Sequence, residues 1–148
     1  MLELPQKIYV YTDGGSRGNP GIAGAGAVIT DEAGNVLKKA SKYLGVQTNN
    51  HAEYQAVILA LEELKRLIPE AKRKETHIEI RMDSELIQRQ LSGKYQIKEE
   101  NLCPLFIKIW NMRVADFPHM TFVHIPREKN KEADQMANMA MDSAAKVS

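Results

Sequence analysis

The sequence has little of what would hold a chain together by covalent means or by a membrane. It carries one cysteine, Cys103, so no internal disulfide can form. A lone thiol agrees with a reducing compartment. With no Cys/His cluster around it there is no zinc site, and Cys103 reads as a small buried hydrophobe. No apolar run approaches the roughly 20 residues of a membrane span. The start, Met1-Leu2-Glu3-Leu4-Pro5, lacks the basic region and apolar stretch of a signal peptide. The expected setting is cytoplasmic, without a membrane partner, and a monomer is the default. An excess of one charge is missing too: 20 basic side chains face 19 acidic ones, net +1. A protein that grips nucleic acid by bulk electrostatics is strongly basic. Any such partner must therefore be met by local geometry and metal ions.

Repeats, low-complexity stretches and linkers are absent as well. What remains is 148 residues, 43% hydrophobic and 26% charged. That fits one domain over 1–148, with an ordered core of about 7–142.

Ile8-Tyr9-Val10-Tyr11 is β-branched and aromatic and reads as a buried strand running into Thr12-Asp13-Gly14-Gly15. Gly18-Asn19-Pro20-Gly21 is turn chemistry. Gly24 to Thr30 and Val36 to Leu44 read as two further strands around Asp31-Glu32-Ala33-Gly34-Asn35, giving an antiparallel meander. From Asn50, the residues Ala56, Val57, Ala60, Leu61, Leu64 and Ile68 recur at helical spacing until Pro69. Lys72-Arg73-Lys74-Glu75 reads as a solvated connection. His77 to Met82 is a fourth strand, and Ser84 opens a short helix closed by Gly93. Leu105 to Val114 is helical and places Trp110 in the core. Met120 to Ile125 is a fifth strand, and Asn130 to Ala144 a last helix. This order calls for an α/β fold: a mixed five-stranded sheet, three antiparallel strands then parallel crossovers, with helices on both faces.

Four acids stand out by position. Asp13 ends the first strand, Glu53 lies in the first turn of the long helix, Asp83 follows the fourth strand, and Asp134 lies in the first turn of the last helix. Strand C-termini and helix N-termini share one edge of such a sheet, where sites gather. Converging carboxylates raise one another's pKa, and divalent cations relieve the conflict. Oxygen-only ligands suit Mg2+ or Mn2+, and two such ions can activate water and stabilise a leaving oxygen at a phosphodiester. Each acid has an ordinary reading too. Asn50 and Glu53 make an Asn-x-x-Glu capping box. Asp83 can help start a helix, Asp134 suits a helix dipole, and Asp13 before two glycines is a turn residue. Those readings leave unexplained why all four share one edge.

The residues resemble a known family. Tyr11-Thr12-Asp13-Gly14-Gly15-Ser16 with Gly18-Asn19-Pro20-Gly21 resembles the first motif of type 1 ribonuclease H. Thr48-Asn49-Asn50-His51-Ala52-Glu53 resembles the second, Asp83-Ser84 the third, and Asn130-Lys131-Glu132-Ala133-Asp134 the fourth. The resemblance runs from about Lys7 to about Met141. It implies a ribonuclease H-like fold and an endonuclease that cuts the RNA strand of RNA–DNA hybrids with two metal ions, Mg2+ or Mn2+, leaving a 5′-phosphate and a 3′-hydroxyl. It implies Asp13, Glu53, Asp83 and Asp134 as metal ligands. It also implies Asn19 and Thr48 near a DNA-strand phosphate, with Ser16, Asn49, Asn50 and Ser84 near the RNA strand and its 2′-hydroxyls. Gly14 and Gly15 would let the backbone approach the substrate.

Two departures from the family pattern matter. The loop histidine of well-known bacterial members has no clear counterpart. His124 stands at the right distance before Asp134, but it alternates with Met120 and Phe122 and reads as a strand residue. The Pro126-Arg127-Glu128 stretch is more like archaeal and plant-type relatives, which makes Arg127 the candidate phosphate contact. The basic protrusion is missing too: Lys94 and Lys98 are offset by Glu99 and Glu100. Modest affinity with a shallow salt dependence is expected. Two rival readings stay open, a non-catalytic nucleic-acid-binding module on the same fold and a related nuclease acting on double-stranded RNA.

Overall fold

A computed structural model describes residues 7–147; the Met1–Pro5 start lies outside them. Strands β1 (Lys7–Gly18), β2 (Gly21–Asp31) and β3 (Val36–Gln47) form an antiparallel meander. Helix α1 (Asn49–Leu67) and the single turn α2 (Glu70–Arg73) lead to β4 (His77–Met82), which lies parallel to β1. Then come α3 (Glu85–Leu91), α4 (Cys103–Ala115), β5 (Met120–His124), parallel to β4, and α5 (Lys131–Val147). The strand order is β3-β2-β1-β4-β5. The expected mixed sheet with parallel crossovers is what the chain forms. Among the described residues no helix is long and apolar enough to cross a membrane.

Alternation decides which face each residue serves. Ile8 and Val10 of β1, Ala27 and Ile29 of β2, Ile78, Ile80 and Met82 of β4, and Met120 and Phe122 of β5 bury against Val57, Leu61 and Leu64 of α1. The other face of β2 receives α5, and Gly26 permits it: a Cβ there would run into the Ala133 carbonyl. Helices thus cover both faces, and the backbone of α5 comes close to the sheet because β2 offers glycine where it lands.

Several elements differ from their sequence reading, for local reasons. Asp13 does not end a strand. β1 stays paired with β2 as far as Gly18↔Gly21, while its pairing with β4 stops at Thr12↔Met82. Asp13 therefore lies inside β1, just where its neighbour on one side departs, and is not a turn residue. Helix α1 begins one residue early, capped by Thr48, whose side chain accepts from the His51 N–H at 3.2 Å. That removes the Asn50–Glu53 capping box and moves Glu53 beyond the first turn.

Trp110 is not core. It is 51% exposed and stacks on Phe106, one residue after the buried Ile109 and two before the buried Met112. Helix α4 packs on α1 by one side only, so a residue 100° away faces out. Cys103, at the start of the same helix, is exposed rather than buried. Arg73 is no solvated residue either. Its guanidinium donates to the carbonyls of Ile68 (3.0 Å) and Lys65 (2.8 Å) and to Asp116 (3.1 Å), closing the end of α1.

Candidate active site

Three elements deliver three acids to one point. Asp13 stands where β1 outruns β4, Asp83 follows β4 directly, and Glu53 projects from α1. One carboxylate oxygen from each lies within 4.8 Å of the other two. Gly14 makes this closeness possible. A Cβ there would collide with the Ala52 carbonyl and lie 2.5 Å from the Glu53 nitrogen, so only glycine lets the start of α1 sit against β1. The Gly14 N–H then lies near enough to the Glu53 carboxyl to oppose part of the rise in its pKa. Asp134 stands beside the trio and reaches Asp13 from α5, carboxyl to carboxyl. All four line one recess of about 420 Å³.

Asp13 and Glu53 are each only 9% exposed. Burial, then the charges of Asp83 and Asp134, pushes the Asp13 pKa up to about 8, against a partial lowering by Arg127. Burial, then Asp13 and Asp83, also holds Glu53 well above the usual carboxylate range. Like charges in a desolvated place are expensive to ionise together. A divalent cation is the simplest partner for this donor set, and its hard, all-oxygen chemistry excludes softer metals as the natural fit.

The residues expected to meet substrate divide into two groups. Gly14, Asn49, Asn50, Ser84 and Arg127 line the recess with the acids. Ser16, Asn19 and Thr48 do not, and act through others. The Asn49 Oδ1 accepts from the Ser16 N–H (2.9 Å) and hydroxyl (3.1 Å). The Asn49 N–H donates to Asn19 Oδ1 (3.1 Å), and Thr48 caps the helix. Ser84 also serves locally, accepting from the Ile87 N–H at 3.3 Å to start α3. His124 is the exposed last residue of β5, paired with Met82, and does not line the recess.

One residue that sequence reasoning quoted only as part of a motif proves important. Asn130 is 1% exposed, and its Nδ2 donates both to the Thr12 carbonyl (2.8 Å) and to Asp83 Oδ2 (3.1 Å). It joins the middle of β1, the acid after β4 and the start of α5, and leaves Asp83 one oxygen for other work. Its signal was readable: an asparagine at the residue before a helix begins, four before an acid of interest.

The description "reverse transcriptase-like" fits the family matched by residues 11–140. A ribonuclease H1 isolated from compost by a metagenomic approach, LC11-RNase H1, is 52% identical; the alignment covers 95% of this chain and 99% of that one, with a TM-score of 0.89. This chain belongs to the type 1 ribonuclease H family. The compost ribonuclease H1 has also been crystallised with an RNA/DNA hybrid, and that structure too superposes with a TM-score of 0.89. Ribonuclease HI of Halobacterium salinarum is 35% identical over 138 residues, 93% of this chain and 66% of that protein. The bifunctional protein Rv2228c of Mycobacterium tuberculosis is 37% identical over 140 residues. The chain spans only 36% of that longer protein. The archaeal match agrees with the archaeal-like reading of the Arg127 loop, and the type 1 fold agrees with the sheet order found here.

Proposed function

We propose that this ribonuclease H family member is a metal-dependent endonuclease that cuts the RNA strand of RNA–DNA hybrids, leaving a 5′-phosphate and a 3′-hydroxyl. The observation that carries it is the trio Asp13, Glu53 and Asp83, oxygens within 4.8 Å of one another, at the floor of a recess walled by two helix-borne amides. A cluster so costly to ionise has no structural use, and a binding module facing phosphates would gain nothing from it.

The residues fit two ions of Mg2+ or Mn2+: Asp13 and Asp83 central, Glu53 on the side of the amides, Asp134 completing the set from α5. Such ions, when bound, supply an activated water and charge stabilisation for the leaving oxygen. The protein's own groups do the rest. Asn130 keeps the Asp83 carboxylate in one orientation. Arg127, close enough to lower the pKa of both Asp13 and Glu53, offers a guanidinium to a phosphate oxygen. Asn49 and Asn50 meet the 2′-hydroxyls that mark the RNA strand, because a hydroxyl that both donates and accepts is what an amide recognises. Asn19 and Thr48, outside the recess, hold the start of α1 and would meet the other strand.

The test is cleavage of a duplex labelled on one strand, RNA–DNA beside RNA–RNA and DNA–DNA, with Mg2+, Mn2+ or chelator. Metal-dependent cuts in the RNA of the hybrid alone are expected. Cuts in RNA–RNA would shift the substrate class, and no cuts in any duplex would overturn the enzyme reading.

A further inference from the structure

Asn49 and Asn50 are neighbours at the start of α1, and both line the acidic recess. Their amides are held in opposite senses. Asn49 has its carbonyl prong occupied by the N–H and hydroxyl of Ser16, at 2.9 and 3.1 Å. Asn50 has its NH2 prong occupied instead, donating to Glu99 Oε1 at 2.7 Å. Neither Ser16 nor Glu99 lines the recess. The anchored prongs are thus held by residues outside the recess, which leaves the other prongs free for it. Asn49 offers a donor there and Asn50 an acceptor.

We infer that Glu99 is a specificity-determining positioning residue: by holding the Asn50 NH2 it fixes the Asn50 carbonyl toward the substrate, so that the site accepts a hydrogen bond from a ribose 2′-hydroxyl. The inference rests on the proposed RNA–DNA substrate and adds to it the residue that sets one half of the ribose test. A 2′-hydroxyl can answer either prong, so what a held amide gains is that it need not be ordered on binding, while a deoxyribose offers neither a donor nor an acceptor at that carbon. Holding the amide is what turns Asn50 from a polar surface into a directional reader.

The backbone of Glu99 is anchored, and its exposed side chain reaches Asn50 from there. It lies outside the helices, yet its own carbonyl accepts from the Leu102 N–H at 3.0 Å, and Leu102 is fully buried. The segment from Ser92 to Glu99 carries no regular structure, and this anchor fixes its last residue against α1. A carboxylate suits this role because it has acceptors only, so it takes the NH2 prong and refuses the carbonyl one. The charge on Glu99 otherwise works against a phosphate-binding surface, which gives its placement beside the recess no electrostatic merit of its own.

The experiment compares wild type with Glu99→Ala, Glu99→Gln and the neighbouring charge control Glu100→Ala. Binding to RNA–DNA and to DNA–DNA of one sequence is measured in chelator, so that cleavage plays no part. Glu99→Ala is expected to lower the ratio of the two affinities about threefold to tenfold, the worth of one hydrogen bond. Glu99→Gln, which can accept from the NH2 prong but can also donate to the carbonyl one, falls between wild type and Glu99→Ala, and Glu100→Ala leaves the ratio alone. In the cleavage arm, single 2′-deoxy substitutions are stepped along the RNA strand around the cut. One position should slow wild type, and that penalty should shrink in Glu99→Ala. Equal weakening of both duplexes by Glu99→Ala would reduce Glu99 to a tether and overturn the inference, as would an unchanged ratio. Wild type cutting hybrids with either of those outcomes leaves the proposed function standing. Wild type failing to cut or prefer hybrids brings down both.

Discussion

Two charged clusters sit along the same pair of strands, and they are handled in opposite ways. On β1 the alternate residues are Tyr9, Tyr11 and Asp13; beside them on β4, and just past it, are Glu79, Arg81 and Asp83. The first cluster is closed. Arg81 donates to Glu79 (2.7 Å) and to the Tyr11 hydroxyl (2.7 Å), and lies 4.0 Å over the Tyr9 ring. The second is open: Asp13 and Asp83, joined by Glu53, face one another. Arg81 is two residues from Asp83, yet its charge is engaged in the first cluster. Protein charges that serve only the fold are paired. A cation held back from adjacent acids marks a place kept for a partner from outside.

The comparison breaks most sharply at Asp83→Asn. Hybrid cleavage is expected to fall below detection, because one of the three converging ligands is gone. The metal-free protein is expected to melt higher than wild type, since a like charge has been removed from Asp13 and Glu53. Single-turnover cleavage and a melting curve in chelator read the two effects. Wild-type turnover, or a lower melting point without metal, would contradict the account of the open cluster.

Asn130→Ala comes next. It keeps every acid but frees Asp83 and strands the buried Thr12 carbonyl. Loss of a partner that orients a ligand typically costs about tenfold to a hundredfold in metal affinity or activity. Stability should fall by about 1–3 kcal/mol, the cost of an unpaired buried group. The metal concentration for half-maximal cleavage should rise, and an unchanged one would mean that Asn130 is structural only. Arg81→Met in the closed cluster should do the converse. It leaves Glu79 and the Tyr11 hydroxyl without their donor, costing about 1–3 kcal/mol in a urea melt, while the metal requirement stays as in wild type.

Much of this was legible from the chain. Element order, the apolar alternation and the edge that gathers Asp13, Glu53, Asp83 and Asp134 follow from local periodicity and strand–helix direction. What escaped were features set by tertiary contact. Trp110 and Cys103 face out because α4 packs mainly on α1 and buries only its Ile109–Met112 side, which no helical spacing reveals. Asp13 reads as the end of a strand because the Gly-Gly pair after it looks the same whether the chain turns or a helix crowds against it. Glu53 looked like half of a capping box until Thr48 was seen to cap. Asn50–Glu99 joins residues 49 positions apart in sequence, and no pattern in either segment announces the other.

The smallest effect is a pH slope, and it discriminates finely between the clusters. Asp13 has its pKa raised from 3.8 to about 8 in the fold. A raised carboxyl pKa means that the folded chain holds a proton which the unfolded chain has lost. The resulting stability is complete below the unfolded value and disappears as pH rises through the folded one. Glu53 shifts in the same direction. In chelator, then, wild type should lose melting temperature between pH 5 and pH 8.5 by about a few degrees more than Asp13→Asn. Mg2+ competes with these protons, so the stabilisation it confers should grow over the same interval. Arg81→Met, which touches only the closed cluster, should keep the wild-type slope. If Asp13→Asn and wild type ran parallel, the acids would already be ionised without metal, and the contrast between a closed and an open cluster would lose its energetic half.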